Sequence, residues 1–387
     1  MRFIRLLCFC FIAYCIGLSM PYAQCSTVNF TAPSSACVNE KINLVKLMSD
    51  LSREVLFIPA TEMQSEFCRI LIDLGFEKDK ANSCAKIFTE NSLDGVYTHG
   101  VNRFPRFVQY IKKGFIKIDA EPTIVNSFGG LEQWNGNSGP GPLNAVSCTD
   151  RAMALAQQFG IGSVCLAQTN HWMRGGTYGW RAAAKGFIFI SWTNTIANMP
   201  PWGSAIPKLG NNPLVFAVPY GKEAIVLDMA MSQFSFGAME LQKLKGKKLS
   251  VMGGFDSKGE LTMDPGEILE SKRALPIGYW KGAGLSLLLD VLATVLSGGL
   301  SVHQISQQDS EINVSQVFIA IDMTRLHNFS TIDQIVKNII ADYHASSDGI
   351  EQVVFPGERV MALRKENKKN GIPVLGNIWG EIKGLNS

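Results

Sequence analysis

The sequence has few histidines and no paired metal-ligating cysteines. Its five histidines are scattered from His99 to His344, and none of its nine cysteines is spaced Cys-x-x-Cys. That spacing argues against zinc fingers and ribbons, which need such pairs or a Cys–His equivalent. Charge is scarce as well: charged residues make up 18% of the chain and the net charge is only +3. Nothing there recruits a nucleic acid or an anionic membrane, and the lysine-rich stretch KLKGKK at residues 243–248 reads as a solvated loop. A Gly-x-Gly-x-x-Gly fingerprint is missing too. Gly282-Ala-Gly284 has Leu287 in the third glycine's place, and Gly139-Pro-Gly141 has Asn144. A Rossmann dinucleotide site is therefore not indicated. No internal repeat is evident.

What is present is apolar. A 46% apolar fraction over 387 residues is enough for a large core and two subdomains. Cys68, Cys84, Cys148 and Cys165 sit in apolar surroundings and read as buried thiols, which favours a reducing compartment. The amino terminus points the other way. Residues 1–5 are basic and residues 6–20 apolar, the layout of a secretory signal, with a poor cleavage site at Ala23-Gln24-Cys25. The division expected is a signal-like or misassigned segment at 1–25, an extension at 26–53 and a catalytic region at 54–387. A true start at Met48 reconciles these signals with a cytoplasmic enzyme, and export is the alternative.

Along the chain, Thr61-x-x-Gln64 suggests a capping box, and Met63, Phe67, Ile70, Leu71 and Leu74 follow at helical spacing up to Gly75. A second helix is predicted over 78–91. Residues 126–144 read as loops, Asp150 as the cap of a helix ending at Phe159, and 162–168, 187–192, 214–218, 224–229 and 316–322 as strands. Residues 282–300 carry one charge, Asp290, at their centre. Length alone allows a membrane span, but the central carboxylate favours a core or subunit-interface helix. Residues 331–344 are amphipathic, and 355–359 form a charged turn. The order of elements predicts an α/β layout, a mixed sheet flanked by helices.

Two stretches carry candidate chemistry: DGVYTHGVNRFPRF at 94–107 and TNHWMRGGTYGWR at 169–181. Histidine suits proton transfer near neutral pH, and arginine suits a two-pronged hold on a carboxylate. His99 and Arg103 stand at i, i+4 spacing and are expected to share one helix face, with Pro105 as the caution. Gly100 is expected to let a substrate approach the imidazole. His171 either orients a ligand or bonds its own loop, and Gly175 and Gly176 suit a flat ligand or tight packing equally.

These stretches, with SWTNTIANMPPWG, LGNNPLVFAVP, LPIGYWKGAGLSLLLD and SQVFIAID further on, resemble the malate/L-lactate dehydrogenase-like oxidoreductases, a family distinct from the Rossmann-type lactate dehydrogenases. The strings run in the family's order from about residue 54 to the carboxyl end. The resemblance implies a non-Rossmann nicotinamide-binding fold, with a helical subdomain from the chain's two ends, acting as a homodimer whose site lies near the subunit boundary. It implies His99 as proton donor, at an unperturbed pKa of about 6.5, and Arg103 as anchor of the substrate carboxylate, with Thr98 and His171 also on the substrate. Thr98 replaces the serine of close relatives and keeps its hydroxyl. The cofactor, NADH in preference to NADPH, is expected along Ala224, Ile225, Val226, Leu227, Asp228, Met229 and Ala230, at Trp280 and Lys281, and at Gly357, Glu358 and Arg359. Asp228 would accept from ribose hydroxyls and disfavour a 2′-phosphate, whereas Arg359 would tolerate one. The expected activity is reduction of a 2-keto sugar acid, with Trp172, Trp192 and Trp202 available to a polyhydroxylated chain. Another 2-keto or 2-hydroxy acid, such as malate or lactate, is the alternative. An exported sugar-acid binding protein is the reading from another class.

Overall fold

The computed structural model describes residues 55–349 and 352–385, so the expectations for 1–25, 26–53 and Met48 fall outside the described residues. The principal elements, in chain order, are β1 (Val55–Ile58), α1 (Ala60–Asp73), α2 (Lys78–Leu93), α3 (Phe104–Lys112), β2 (Thr123–Phe128), β3 (Leu131–Asn135), α4 (Gly141–Phe159), β4 (Ile161–Thr169), α5 (Gly176–Ala183), β5 (Phe187–Thr193), β6 (Leu214–Tyr220), β7 (Glu223–Met229), α6 (Phe236–Leu244), α7 (Trp280–Ser297), β8 (Val314–Asp322), α8 (Phe329–Ala345), α9 (Glu358–Asn370), β9 (Ile372–Leu375) and α10 (Gly376–Lys383).

A seven-stranded sheet in the order β2-β3-β4-β8-β5-β6-β7 forms the centre. Only β3 and β4 run parallel; every other neighbouring pair is antiparallel. The alternation of side chains along each strand divides the core in two. Val164, Leu166, Phe189, Phe318 and Ala320 face α4 and α5. Cys165, Trp192 and Val317 face the other way, onto Leu289 and Ala293 of α7. A third cluster joins α1, α2 and α3 to Ile372, Val374, Trp379 and Ile382 from the carboxyl end. There β1 pairs antiparallel with β9, Val55 opposite Leu375, so the helical layer is indeed built from both ends of the described chain.

Several local expectations change. The capping box at Thr61 does not form: α1 begins after Pro59 without a side-chain cap, and Gln64 donates to Asn82 Oδ1 at 2.8 Å. The region 126–144 is not all loop. β2 and β3 form a hairpin about Gly129, and α4 starts at Gly141. All six residues of β2 are exposed, and its apolar residues Ile124, Val125 and Phe128 do not alternate with polar ones, which hid the strand. Asp150 lies inside α4, where it pairs with Arg181 at 2.6 Å instead of capping the helix. Gly160 does end that helix, at φ +87°. Asp290 accepts from Asn194 Nδ2 and the Val302 amide, both at 2.9 Å, which explains a carboxylate in the middle of the apolar α7.

Candidate active site

His99 and Arg103 do not share a helix. Residues Tyr97–His99 and Val101–Arg103 are two separate single turns hinged at Gly100, and α3 begins only at Phe104, with Pro105 in its first turn. Gly100 is needed for packing rather than substrate approach. A Cβ there would lie 2.3 Å from Ser92 Oγ of α2. Ser92 Oγ in turn accepts from the Val101 amide at 2.8 Å, and Asn91 Nδ2 donates to His99 O at 2.9 Å. The histidine is thus set on a hinge bolted to α2.

The loop after β4 supplies the facing wall. The imidazoles of His99 and His171 stack at 5.5 Å, 11° from parallel. The Met173 amide donates to His171 Nδ1 at 3.0 Å, so this ring bonds its own loop and, when neutral, carries its proton on Nε2. On the other side, Thr98 Oγ1 lies 3.3 Å from His99 Nδ1, which leaves Nε2 for a substrate. Both histidines are held neutral. Burial, with Arg103 and Arg174 nearby, depresses His99 to about 4, against a smaller opposing pull from Asp228. Burial, Arg103 and the neighbouring His99 push His171 well below its ordinary value. The expectation of an unperturbed imidazole is therefore corrected: desolvation and guanidinium charge oppose its protonation.

Arg103 is partly buried, and among the described residues its guanidinium makes an ion pair only with Glu311, at 3.7 Å, beyond hydrogen-bond length. Beneath the histidine lies a charge network that the sequence did not announce. Asp94 accepts from Arg174 Nη1 and, at 2.8 Å, from Arg364 Nη2; Arg174 also stands 3.4 Å from Asp228. Asp94 and Arg174 are each 6% exposed. Asp228 Oδ2 further accepts from the Gly176 amide at 2.9 Å, a carboxylate placed on the first turn of α5. Thr177 Oγ1 then donates to Asn91 Oδ1 at 2.5 Å. A continuous path runs from β7 through α5 and α2 to the His99 turn. Gly175 and Gly176 serve tight packing: a Cβ would come 2.7 Å from Val215 Cγ2 at the first and 2.7 Å from Asp228 Oδ2 at the second.

The three stretches expected to hold a nicotinamide cofactor come together at one end of the sheet. β7 is the edge strand, and its Val226 amide donates to Pro356 O at 2.9 Å, which lays residues 356–359 along it. The Ile277 amide donates to Met231 O at 2.8 Å, which brings the start of α7 to the end of β7. Trp280 is 65% exposed, with Lys281 Nζ 5.9 Å from its ring centre. At Gly357 the backbone packs closely: a Cβ there would stand 3.2 Å from Val226 N and from Trp180, whose buried Nε1 has no partner among the described residues. An orphan donor, an exposed indole and an ammonium fit a dinucleotide. Glu358 is already engaged, accepting from the Phe355 amide and His344 Nε2, both at 3.0 Å, while Arg359 is exposed. The tryptophans divide. Trp172 is 1% exposed and packs on Tyr178 and Phe318, and Trp192 donates to Leu289 O; of these three only Trp202, 47% exposed and 4.9 Å from Tyr279, faces solvent.

The family described as malate/L-lactate dehydrogenase matches residues 58–383. The chain belongs to this family. It is an oxidoreductase acting on a CH–OH/C=O group with a nicotinamide cofactor. The 2,3-diketo-L-gulonate reductase of Pasteurella multocida is 48% identical over 84% of this chain and 98% of its own, and that of Escherichia coli K12 is 44% identical over the same shares. Among solved structures, malate dehydrogenase from Entamoeba histolytica superposes at TM-score 0.81 with 23% identity, covering 86% of this chain and 97% of its own, a likeness of fold. Malate dehydrogenase from Pyrococcus horikoshii OT3 gives 0.77 at 26% identity, covering 86% and 94%.

Sequence reasoning missed Asp94, Arg364, Glu311 and Gly237 as parts of this site. The last sits in the first turn of α6. A Cβ there would stand 2.8 Å from the Thr98 methyl. Thr98 and Gly237 are thus complementary, and Gly237→Ala forces Thr98 off its rotamer and its hydroxyl away from His99. A loss of about tenfold in kcat is expected, the equivalent of a rotamer cost near 1.4 kcal/mol. Thr98→Ser, which removes the methyl and keeps the hydroxyl, should restore the rate in the double variant. Steady-state kinetics of the four proteins checks the coupling.

Proposed function

We propose that the enzyme reduces 2,3-diketo-L-gulonate to 3-dehydro-L-gulonate, with NADH as donor. The supporting observation is the pairing of a neutral imidazole, Nε2 free, with a guanidinium whose ion-pair partner stands 3.7 Å away. Arg103 holds the substrate carboxylate and so sets the adjacent carbonyl beside His99. Bound nicotinamide supplies the hydride. His99, in its imidazolium form in the productive complex, delivers the Nε2 proton to the oxygen as it becomes an alkoxide and returns to neutral imidazole, and solvent restores that proton. His171 donates from its own Nε2 to a substrate oxygen. Trp280 and Lys281 suit a ring face and the pyrophosphate. Asp228, at the end of β7, disfavours a 2′-phosphate, which supports NADH.

Substrate binding also completes the acid. The carboxylate neutralises Arg103, removing one of the charges that depress His99. In the free enzyme the protonated form is lost as pH rises through about 4. Hence kcat/KM for reduction should fall as pH rises from about 5 to 8, by up to tenfold per unit, whereas kcat/KM for oxidation of the hydroxy acid stays level. Parallel pH profiles in the two directions check this.

The exposed apolar face of α7, with Leu287 at 52%, Leu288 at 57% and Val295 at 69% exposure, supports a homodimer, testable by light scattering. The need for reduced nicotinamide supports a cytoplasmic site of action. The deciding assay is NADH oxidation with purified protein against 2,3-diketo-L-gulonate, oxaloacetate and pyruvate. Turnover of the sugar acid well above the others is expected; a preference for oxaloacetate or pyruvate would replace this reading with a malate or lactate dehydrogenase.

A further inference from the structure

Glu311 is a polar side chain in the site that has no assigned role. It comes from the loop before β8, and its side chain is 12% exposed. Burial raises its carboxyl above the usual range, opposed by Arg103, Arg106 and a hydrogen bond with the backbone of Ile196. Arg106 is turned to Tyr110, donating to its hydroxyl at 2.8 Å. A buried carboxylate beside the arginine that must receive the substrate's carboxylate is costly on two counts. It is desolvated, and it competes for the same guanidinium. The 3.7 Å gap shows that neither group satisfies the other. Both costs are offset if the ligand brings, along with its carboxylate, a group that donates to Glu311.

We infer that Glu311 is a specificity residue that accepts a hydrogen bond from a hydroxyl of the substrate chain, beyond the two carbonyls, while Arg103 holds the carboxylate. This rests on the proposed sugar-acid activity and says how the site recognises that class. A hydroxylated monocarboxylate places a donor on Glu311 and an acceptor on Arg103. Pyruvate has no hydroxyl to offer. Oxaloacetate brings a second negative charge against the first, and like charges in a poorly solvated pocket repel. Sites built to bond a hydroxyl reject analogues without it, because their buried polar groups are then left unpaired.

Two variants of the full chain test the inference. Glu311→Met keeps the length and removes both acceptor and charge; Glu311→Gln removes the charge and keeps an acceptor. With Glu311→Met, the ratio of kcat/KM for 2,3-diketo-L-gulonate to that for pyruvate should fall at least about tenfold, because pyruvate loses no hydrogen bond and gains an Arg103 without a competing carboxylate. With Glu311→Gln, most of the sugar-acid activity should survive and oxaloacetate should improve relative to it. A parallel fall for all substrates in either variant would overturn the inference and leave Glu311 as a mere counterion of Arg103. If Glu311→Met does not fold, the oxaloacetate to sugar-acid ratio of Glu311→Gln decides alone. Should the unmodified enzyme reduce no sugar acid, the proposed function fails instead, an outcome separable from these ratios.

Discussion

Replacing His99 with asparagine should lower kcat for ketone reduction by about 10²- to 10⁴-fold, the range for loss of a positioned proton donor. Asparagine retains a hydrogen-bonding group near the Nδ1 position but has no proton to give at the pKa required. The substrate's KM should change little, since Arg103, the proposed carboxylate anchor, is untouched. Stopped-flow measurement of NADH oxidation separates the chemical step from product release. Full turnover in this variant would remove the imidazole from the chemistry. Rescue by added imidazole, in contrast, would place the missing function at the vacated ring.

The second large effect is on stability. Asp94 receives Arg174 and Arg364, and it is buried with the first of them. Asp94→Ala leaves the Arg174 guanidinium inside the protein with Asp228 as its nearest remaining carboxylate, at 3.4 Å. Removing one partner of a buried pair costs about 3–5 kcal/mol, because the other charge stays desolvated. Urea denaturation should show a midpoint shift of that size, with the slope preserved if the native fold is unchanged. Arg364→Ala should cost less, since Arg364 is more exposed and Asp94 keeps Arg174. The two costs should not add when the variants are combined, because the three groups share one network. A near-neutral Asp94→Ala would mean that water reaches this pocket.

How much of this was written in the sequence depends on how local each signal is. β4, β5, β6, β7 and β8 are short apolar runs bounded by glycine, proline or polar residues, and each lies within a few residues of its expected span. β2 escaped because an exposed strand has no buried face to mark it. His99, Arg103 and His171 stood out because each lies in a short stretch dense in chemistry-bearing residues and glycine. Their setting did not. Asp94, Arg174 and Arg364 are distant in sequence and meet only because α2, the loop after β4 and α9 converge. The depressed pKa of His99 is largely non-local, since beside the neighbouring Arg103 it follows from burial and from Arg174 on another loop. Glu311 and Gly237 are ordinary residues in ordinary contexts, and only their neighbours give them meaning.

The closure of the helical layer by β1 and β9 bears on biosynthesis. Ile372, Val374, Trp379 and Ile382 complete the packing behind α1, α2 and α3, the helices around the His99 turn. A nascent chain exposes that histidine's support early but cannot seal it until the final segment has left the ribosome. Until then the emerging helices keep an uncovered apolar flank, a stage at which chaperone capture or aggregation competes with assembly. Premature stop codons upstream of Ile372 should therefore yield insoluble product rather than a weaker enzyme, even though every residue proposed for proton transfer and substrate anchoring has already been made.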